Sequence, residues 1–207
     1  MIETKEDLKY YLEQDRIALN IPKQTLSRRI IQLFIPLHIW EFEKRMRMIE
    51  YYTNKEYSNT ISKIIGKILM VYHTIRFRRI SVKLGFSIAE NTCGPGLSIA
   101  HYGSIIINDA AKLGANCRIH SSVNIGASAG VKKAPQIGDN CYIGPGAILF
   151  GDIEIANNVT VAANATVNKS CLQENVVLAG TPAKIVKDNM QNWLEFNKVS
   201  NCSKLIL

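Results

Sequence analysis

The sequence predicts a mainly β protein, a parallel β-helix of six-residue repeats preceded by an α-helical segment. Three observations carry this. Stepping by six from Leu113, aliphatic residues stand at Leu113, Ile119, Ile125, Val131, Ile137, Ile143, Leu149, Ile155, Val161 and Val167. A companion column four residues on is almost all small or β-branched: Cys117, Val123, Ala129, Pro135, Cys141, Ala147, Ile153, Val159, Ala165 and Cys171. A period of six suits neither one helix nor one strand, whereas a β-helix coil of three short strands needs one inward aliphatic residue per strand. Residues 1–85, by contrast, show helical spacing and capping signals. The expected organisation is a helical segment 1–85, a β-helix domain 86–187 and a tail 188–207.

Within the helical segment, Thr4 with Asp7 three residues on forms a capping box before KYYLEQDRIAL, and Pro22 closes that helix. A second helix is expected from about Leu37 to Tyr52. A third is expected from Thr60 to Leu84, with Asn59 as N-cap and Gly85 as the left-handed stop. Its Ile61, Ile64, Ile65, Ile68, Leu69 and Tyr72 recur at helical spacing and are expected to pack inside. In the solenoid, counting back from Leu113 places Ala89, Pro95, His101 and Ile107 in the aliphatic column. His101 is then a polar ring among aliphatic neighbours, which needs a reason. VKKAPQ keeps the count but is polar, so a protruding loop is expected there. The β-helix interior is filled by side chains, which puts any site on its outer surface.

Composition excludes several classes. The most apolar run, Ile30 to Trp40, is interrupted by Pro36 and is too short to span a bilayer, and the N-terminus lacks the apolar core of a signal peptide, so a cytoplasmic protein is expected. Cys93, Cys117, Cys141 and Cys171 are separated by multiples of six and read as buried filler; no spacing suggests a metal. Residues 1–85 hold 16 Lys and Arg against 9 Asp and Glu, and residues 86–207 hold 9 against 8. The cationic surplus therefore belongs to the helices, which are compatible with peripheral membrane contact or a plain solvated face. No nucleic-acid motif is present.

The text GPGLSIAHYGSIIIN, AKLGANCRIHSSVNIGASAG, APQIGDNCYIGPGAILFGDIEIANNVTVAANATV and AGTPAKIV, from Cys93 to Ile185, resembles the serine acetyltransferase branch of the left-handed parallel β-helix acyltransferases. The resemblance implies left-handed coiling, a homotrimer, and acetyl-coenzyme A as co-substrate in the cleft between neighbouring prisms. It makes His101 the general base, a role suited to an imidazole; apart from the resemblance, Asp109 and Glu90 are the nearby carboxylates left to orient it. Gly126 and Ala127 would lie near the thioester, Pro145 and Ala163 along the pantetheine, and Lys184 and Lys187 near the phosphates. His120 falls one coil and one residue after His101 and is either a neighbour of the base or a surface ring.

Three positions depart from the family pattern. Ala100 stands where an aspartate precedes the base, Ala134 where a second histidine is found, and Phe86 where an upstream carboxylate is expected. These replacements favour a neutral sugar hydroxyl, as in a surface polysaccharide, over free serine, whose charged groups need partners. Serine O-acetylation for cysteine synthesis and a non-catalytic hexapeptide scaffold are the alternatives. The short helical segment implies a single trimer. The family's C-terminal tail docks on cysteine synthase, and this chain ends KLIL at Leu207.

Overall fold

The computed structural model describes residues 1–23, 25–189 and 193–194. Four helices open the chain: α1 (Lys5–Ala18), α2 (Leu26–Phe34), α3 (His38–Asn54) and α4 (Thr60–Leu84). α1 begins with the expected capping box, the Thr4 hydroxyl accepting from the Asp7 N–H while the Asp7 carboxylate accepts from the Thr4 N–H. α4 is capped by Asn59 and stops at Gly85, whose φ of 77° is the left-handed conformation that favours glycine. The sequence expectation omitted α2. Its N-cap, Thr25, accepts from the Arg28 N–H, and Leu26, Ile30 and Phe34 do recur at helical spacing opposite Arg28, but at 9 residues the helix is shorter than the window over which helical periodicity is read.

From Phe86 the chain winds through five coils of a left-handed parallel β-helix. Sheet A contains β1 (Phe86–Ile88), β3 (Ile105–Ile107), β6 (Val123–Gly126), β9 (Ile148–Phe150) and β12 (Thr166–Val167). Sheet B contains β4 (Lys112–Leu113), β7 (Gln136–Ile137) and β10 (Glu154–Ile155), extended by the bridges Cys93–Leu113 and Ile155–Cys171. Sheet C contains β2 (Ser98–Ile99), β5 (Arg118–Ile119), β8 (Tyr142–Ile143), β11 (Thr160–Val161) and β13 (Val177–Gly180), and ends with antiparallel β14 (Ala183–Lys187). The inward residues stack in columns such as Ile99, Ile119, Ile143 and Val161, all buried. Cys93, Cys117, Cys141 and Cys171 are buried free thiols, and burial pushes the Cys93 thiol up to about 11.

The columns differ from the sequence count in two places. Ile99, not His101, is the partner of Ile119. Ile99 and Ile107 are eight residues apart, where Ile119 and Ile125 in the next coil are six. Two additional residues therefore widen the first corner between sheets C and A, so Ala89, Pro95 and His101 all leave the column while Ile107 stays in it. The second difference is the expected loop: Val131 is exposed, and the wall resumes at Gln136. Because the excursion adds six residues, the sequence period runs across it unbroken.

Asparagine shapes the corner between sheets B and C. Asn116, Asn140 and Asn158 take left-handed φ values of 55°, 58° and 59°, and their side chains join in a ladder, Asn116 to Asn140 at 3.2 Å and Asn140 to Asn158 at 3.1 Å. Asparagine tolerates this backbone because its short amide bonds locally.

The helices close the first end of the rod. Arg47, fully buried, donates from Nε to Asp15 at 2.8 Å and from Nη1 to Glu50 at 3.0 Å, and reaches the carbonyls of Cys93 and Gly94 at 2.7 Å each. Asp15 also accepts from the N–H groups of Gly96 and Leu97. α1 and α3 are thus fastened to the first coil by a buried polar cluster. The α4 residues Ile61, Ile64, Ile65, Ile68 and Tyr72 are exposed, against the expectation that they pack inside. The buried side of α4 is instead Gly66, His73, Phe77, Ile80 and Leu84, so the helix carries apolar residues on two opposite sides.

Candidate active site

The widened corner Ala100–Ser104 follows β2 and presents His101 to solvent. Gly103, at φ 127°, allows it to bulge, and its N–H bonds the Leu84 carbonyl at 3.3 Å, so the corner rests on the end of α4. His101 is therefore an outward ring on a bulged corner, and the sequence expectation of a polar ring inside an aliphatic column does not hold.

His101 does not stand alone. Its ring lies 5.6 Å from that of His120 one coil on, and His120 lies 4.9 Å from Tyr142 in the next. These three rings form a line across the outer edge of sheet C. His120 is half-buried and its Nε2 has no hydrogen-bond partner among the described residues. Burial first, then the charge of Arg118 and the neighbouring His101, lowers its pKa to about 4. The ring is uncharged at neutral pH. Beside it, Arg118 donates to Ser98 at 2.9 Å and lies against the Trp193 ring, whose Nε1 donates to the Asn116 carbonyl at 3.0 Å. Tyr142, Arg118 and Trp193 were not anticipated; Tyr142 and Arg118 are the outward members of their strands, to which the hexad period is blind.

The remaining expected residues fall on separate corners. Pro145 and Ala163 share the C-to-A corner with His101, in successive layers joined by the Asn164 N–H to Pro145 carbonyl bond of 2.9 Å. Both are exposed. Asp109 is exposed at the far end of β3, at the A-to-B corner, where Gly126 ends β6 and Ala127 begins the loop. The width of sheet A thus separates Asp109, Gly126 and Ala127 from His101, about 10 Å at the rise of a strand. Glu90 is exposed just past β1. Lys184 and Lys187 project from β14 at the opposite end of the rod. One chain does not gather these residues into one pocket.

Two positions used to judge the acceptor also move. Phe86 points into the core, its ring 5.1 Å from Phe42, and the outward residue of β1 is Ser87. Ala134 is buried in the same core. Their apolar character reflects packing and says nothing about charge at the site. The terminal KLIL lies outside the described residues. Among the described residues no group of three or more His, Cys, Asp or Glu side chains is arranged to hold a metal ion.

Comparison with known proteins adds the following. The profile of the bacterial transferase hexapeptide (six repeats) matches residues 134–169. A serine acetyltransferase of Staphylococcus aureus is 29% identical over 188 residues, 89% of this chain and 78% of that protein. That of Staphylococcus xylosus is 28% identical over 188 residues, 89% of this chain and 77% of that protein. Among solved structures, serine acetyltransferase from Brucella abortus superposes with a TM-score of 0.66 at 22% identity, covering 88% of this chain and 70% of that one. A structure of serine acetyltransferase from the same organism in complex with coenzyme A gives a TM-score of 0.65 at 22% identity, covering 89% and 69%.

Proposed function

We propose that this serine acetyltransferase-like hexapeptide-repeat protein is an acetyl-coenzyme A-dependent O-acetyltransferase whose acceptor is serine. The observation that carries the reading is the exposed His101 imidazole on its widened corner, inside the segment that resembles the acyltransferases. In this role His101 takes the proton of the acceptor hydroxyl as that oxygen attacks the thioester carbonyl. The C–S bond then breaks, the acetyl group stays on the acceptor oxygen, and the departing thiolate takes the proton from the imidazolium. His120, uncharged beside it, puts no positive charge against the imidazolium.

The acceptor reading departs from the sugar hydroxyl favoured by the sequence. The relatives are serine acetyltransferases over nearly nine-tenths of this chain, and nothing in the comparisons points to a glycan. The sugar preference rested on Phe86, Ala134 and Ala100, and the first two are core positions. Exposed Pro145 and Ala163 on the His101 corner suit a pantetheine arm lying close to backbone, and Lys184 and Lys187 suit its phosphates. Asp109, Gly126 and Ala127, a sheet's width away, meet such a ligand most simply if they belong to an adjacent prism. That supports a trimer with its site between copies.

The test is release of free thiol from acetyl-coenzyme A with serine and a panel of sugars. Serine is expected to support release and the sugars not; the reverse pattern overturns the acceptor. His101→Ala is expected to lower the rate at least about a hundredfold, as removal of a general base does, with coenzyme A affinity retained. An unchanged rate would remove His101 from the chemistry, and no release with any acceptor would favour the non-catalytic scaffold.

A further inference from the structure

The exposed side of α4 begins as an apolar stripe and ends as a cationic one. Ile61, Ile64, Ile65, Ile68, Tyr72 and Ile75 lie at helical spacing, and all are exposed, Ile61 at 72% and Ile68 at 63%. Four residues on from Tyr72, Ile75 and Arg79 stand Arg76, Arg79 and Lys83, which continue the same stripe along the last two turns. There they line an open groove of about 810 Å³ together with Lys44 and Arg45 of α3, around the single carboxylate of Glu41. Gln32 of α2 and Pro36 just after it also line the groove, and Phe34 and Ile35, between them in sequence, are 82% and 69% exposed. The patch exceeds the scattered apolar residues of an ordinary surface, and such a patch marks something that covers it.

Charge says what covers it. Residues 16–40 and residues 57–89 contain no Asp or Glu, yet hold four and six Lys or Arg. A second copy meeting this face about a two-fold axis would set the cationic end against the partner's cations or its isoleucines, and in neither arrangement does the partner's α4 offer a carboxylate. A bilayer bearing anionic headgroups answers both parts: its phosphates meet the cationic end, and its headgroup boundary accepts the isoleucines and Phe34. No helix among the described residues is long and apolar enough to cross a membrane, so contact is peripheral.

We propose that α2 and α4 dock this protein flat on an anionic membrane surface. Arg76, Arg79 and Lys83 sit on lipid phosphates, and Ile61, Ile64, Ile68 and Phe34 enter the headgroup boundary. Because the Leu84 carbonyl accepts from the Gly103 N–H, the docked end of α4 adjoins the His101 corner, which then works close to the bilayer.

Co-sedimentation of the full chain with vesicles tests this. Phosphatidylcholine vesicles containing roughly one-third phosphatidylglycerol are expected to bind it, pure phosphatidylcholine vesicles not, with binding weakened by salt. Replacing Arg76, Arg79 and Lys83 by glutamine should weaken binding roughly a hundredfold, from the usual contribution of a cation at such a surface. Ile64→Glu with Ile68→Glu should reduce it at least tenfold at low salt, and the milder pair Ile64→Ser and Ile68→Ser should weaken it with an unchanged thermal melt. A chain that ignores anionic vesicles overturns the proposal. So does a larger assembly in sedimentation velocity that the Ile64 and Ile68 variants break without any vesicle effect, which would assign the face to a second copy.

Discussion

His120 owes its chemistry to its neighbours more than to its own type. Its ring is wedged between His101 and Tyr142, and desolvation with the nearby Arg118 charge lowers its pKa from 6.5 to about 4. In the unfolded chain it titrates at the higher value, so between pH 6.5 and 4 the unfolded state binds the extra proton and stability falls as pH falls. The loss should be complete below about pH 4. Melting temperatures measured across that window should decline more steeply for the native chain than for His120→Gln; parallel curves would mean the ring is solvated. The sequence marked His101 and His120 through resemblance and coil spacing. It misplaced His101 because a count in sixes does not register a corner two residues wider than the rest. Phe86 and Ala134 were matched to polar positions of the family by their place along the chain, which does not tell a buried position from an exposed one.

Between elements, the Arg47 cluster ties the helices to the β-helix. Burial alone would lower the Arg47 guanidinium, but Asp15 and Glu50 hold it charged, well above its ordinary value. Glu43, also buried and beside Asp15, is pushed well above the carboxylate range, chiefly by burial. Arg47→Met would strand Asp15 and Glu50 in the interior and leave the Cys93 and Gly94 carbonyls without their donor. The expected cost is about 3–5 kcal/mol of stability, the usual penalty for removing one partner of a buried ion pair. Urea unfolding measures it, and a loss below about 1 kcal/mol would show that water replaces the arginine. The ends of α1 and α4 were legible because Thr4, Asp7, Asn59 and Gly85 act through local backbone chemistry. The contacts of Arg47 with Cys93 and Gly94 span 46 and 47 residues and leave no local signal. α4 misled for a different reason: an apolar stripe at helical spacing reads the same whether it faces a core or a membrane.

Taken whole, the molecule is a stack in which each coil touches only its neighbours, so stability is close to a sum over layers and interfaces. The hexad made that architecture readable from Leu113 to Val167, and the six-residue loop hid within it because an insertion in phase leaves the count unchanged. Hydrogen exchange should show the greatest protection in β3, β5 and β6, which lie inside the helix-capped end, and the least in β13 and β14. Uniform protection along the rod would contradict the layered picture. The two ends are closed differently, one by the buried Arg47, Asp15 and Glu50 cluster and the other by an antiparallel strand whose Lys184, Ile185, Val186 and Lys187 face solvent. Under tension such a rod behaves as a zipper riveted at one end: β14 should peel away first, and the coils should then open in order toward the helices.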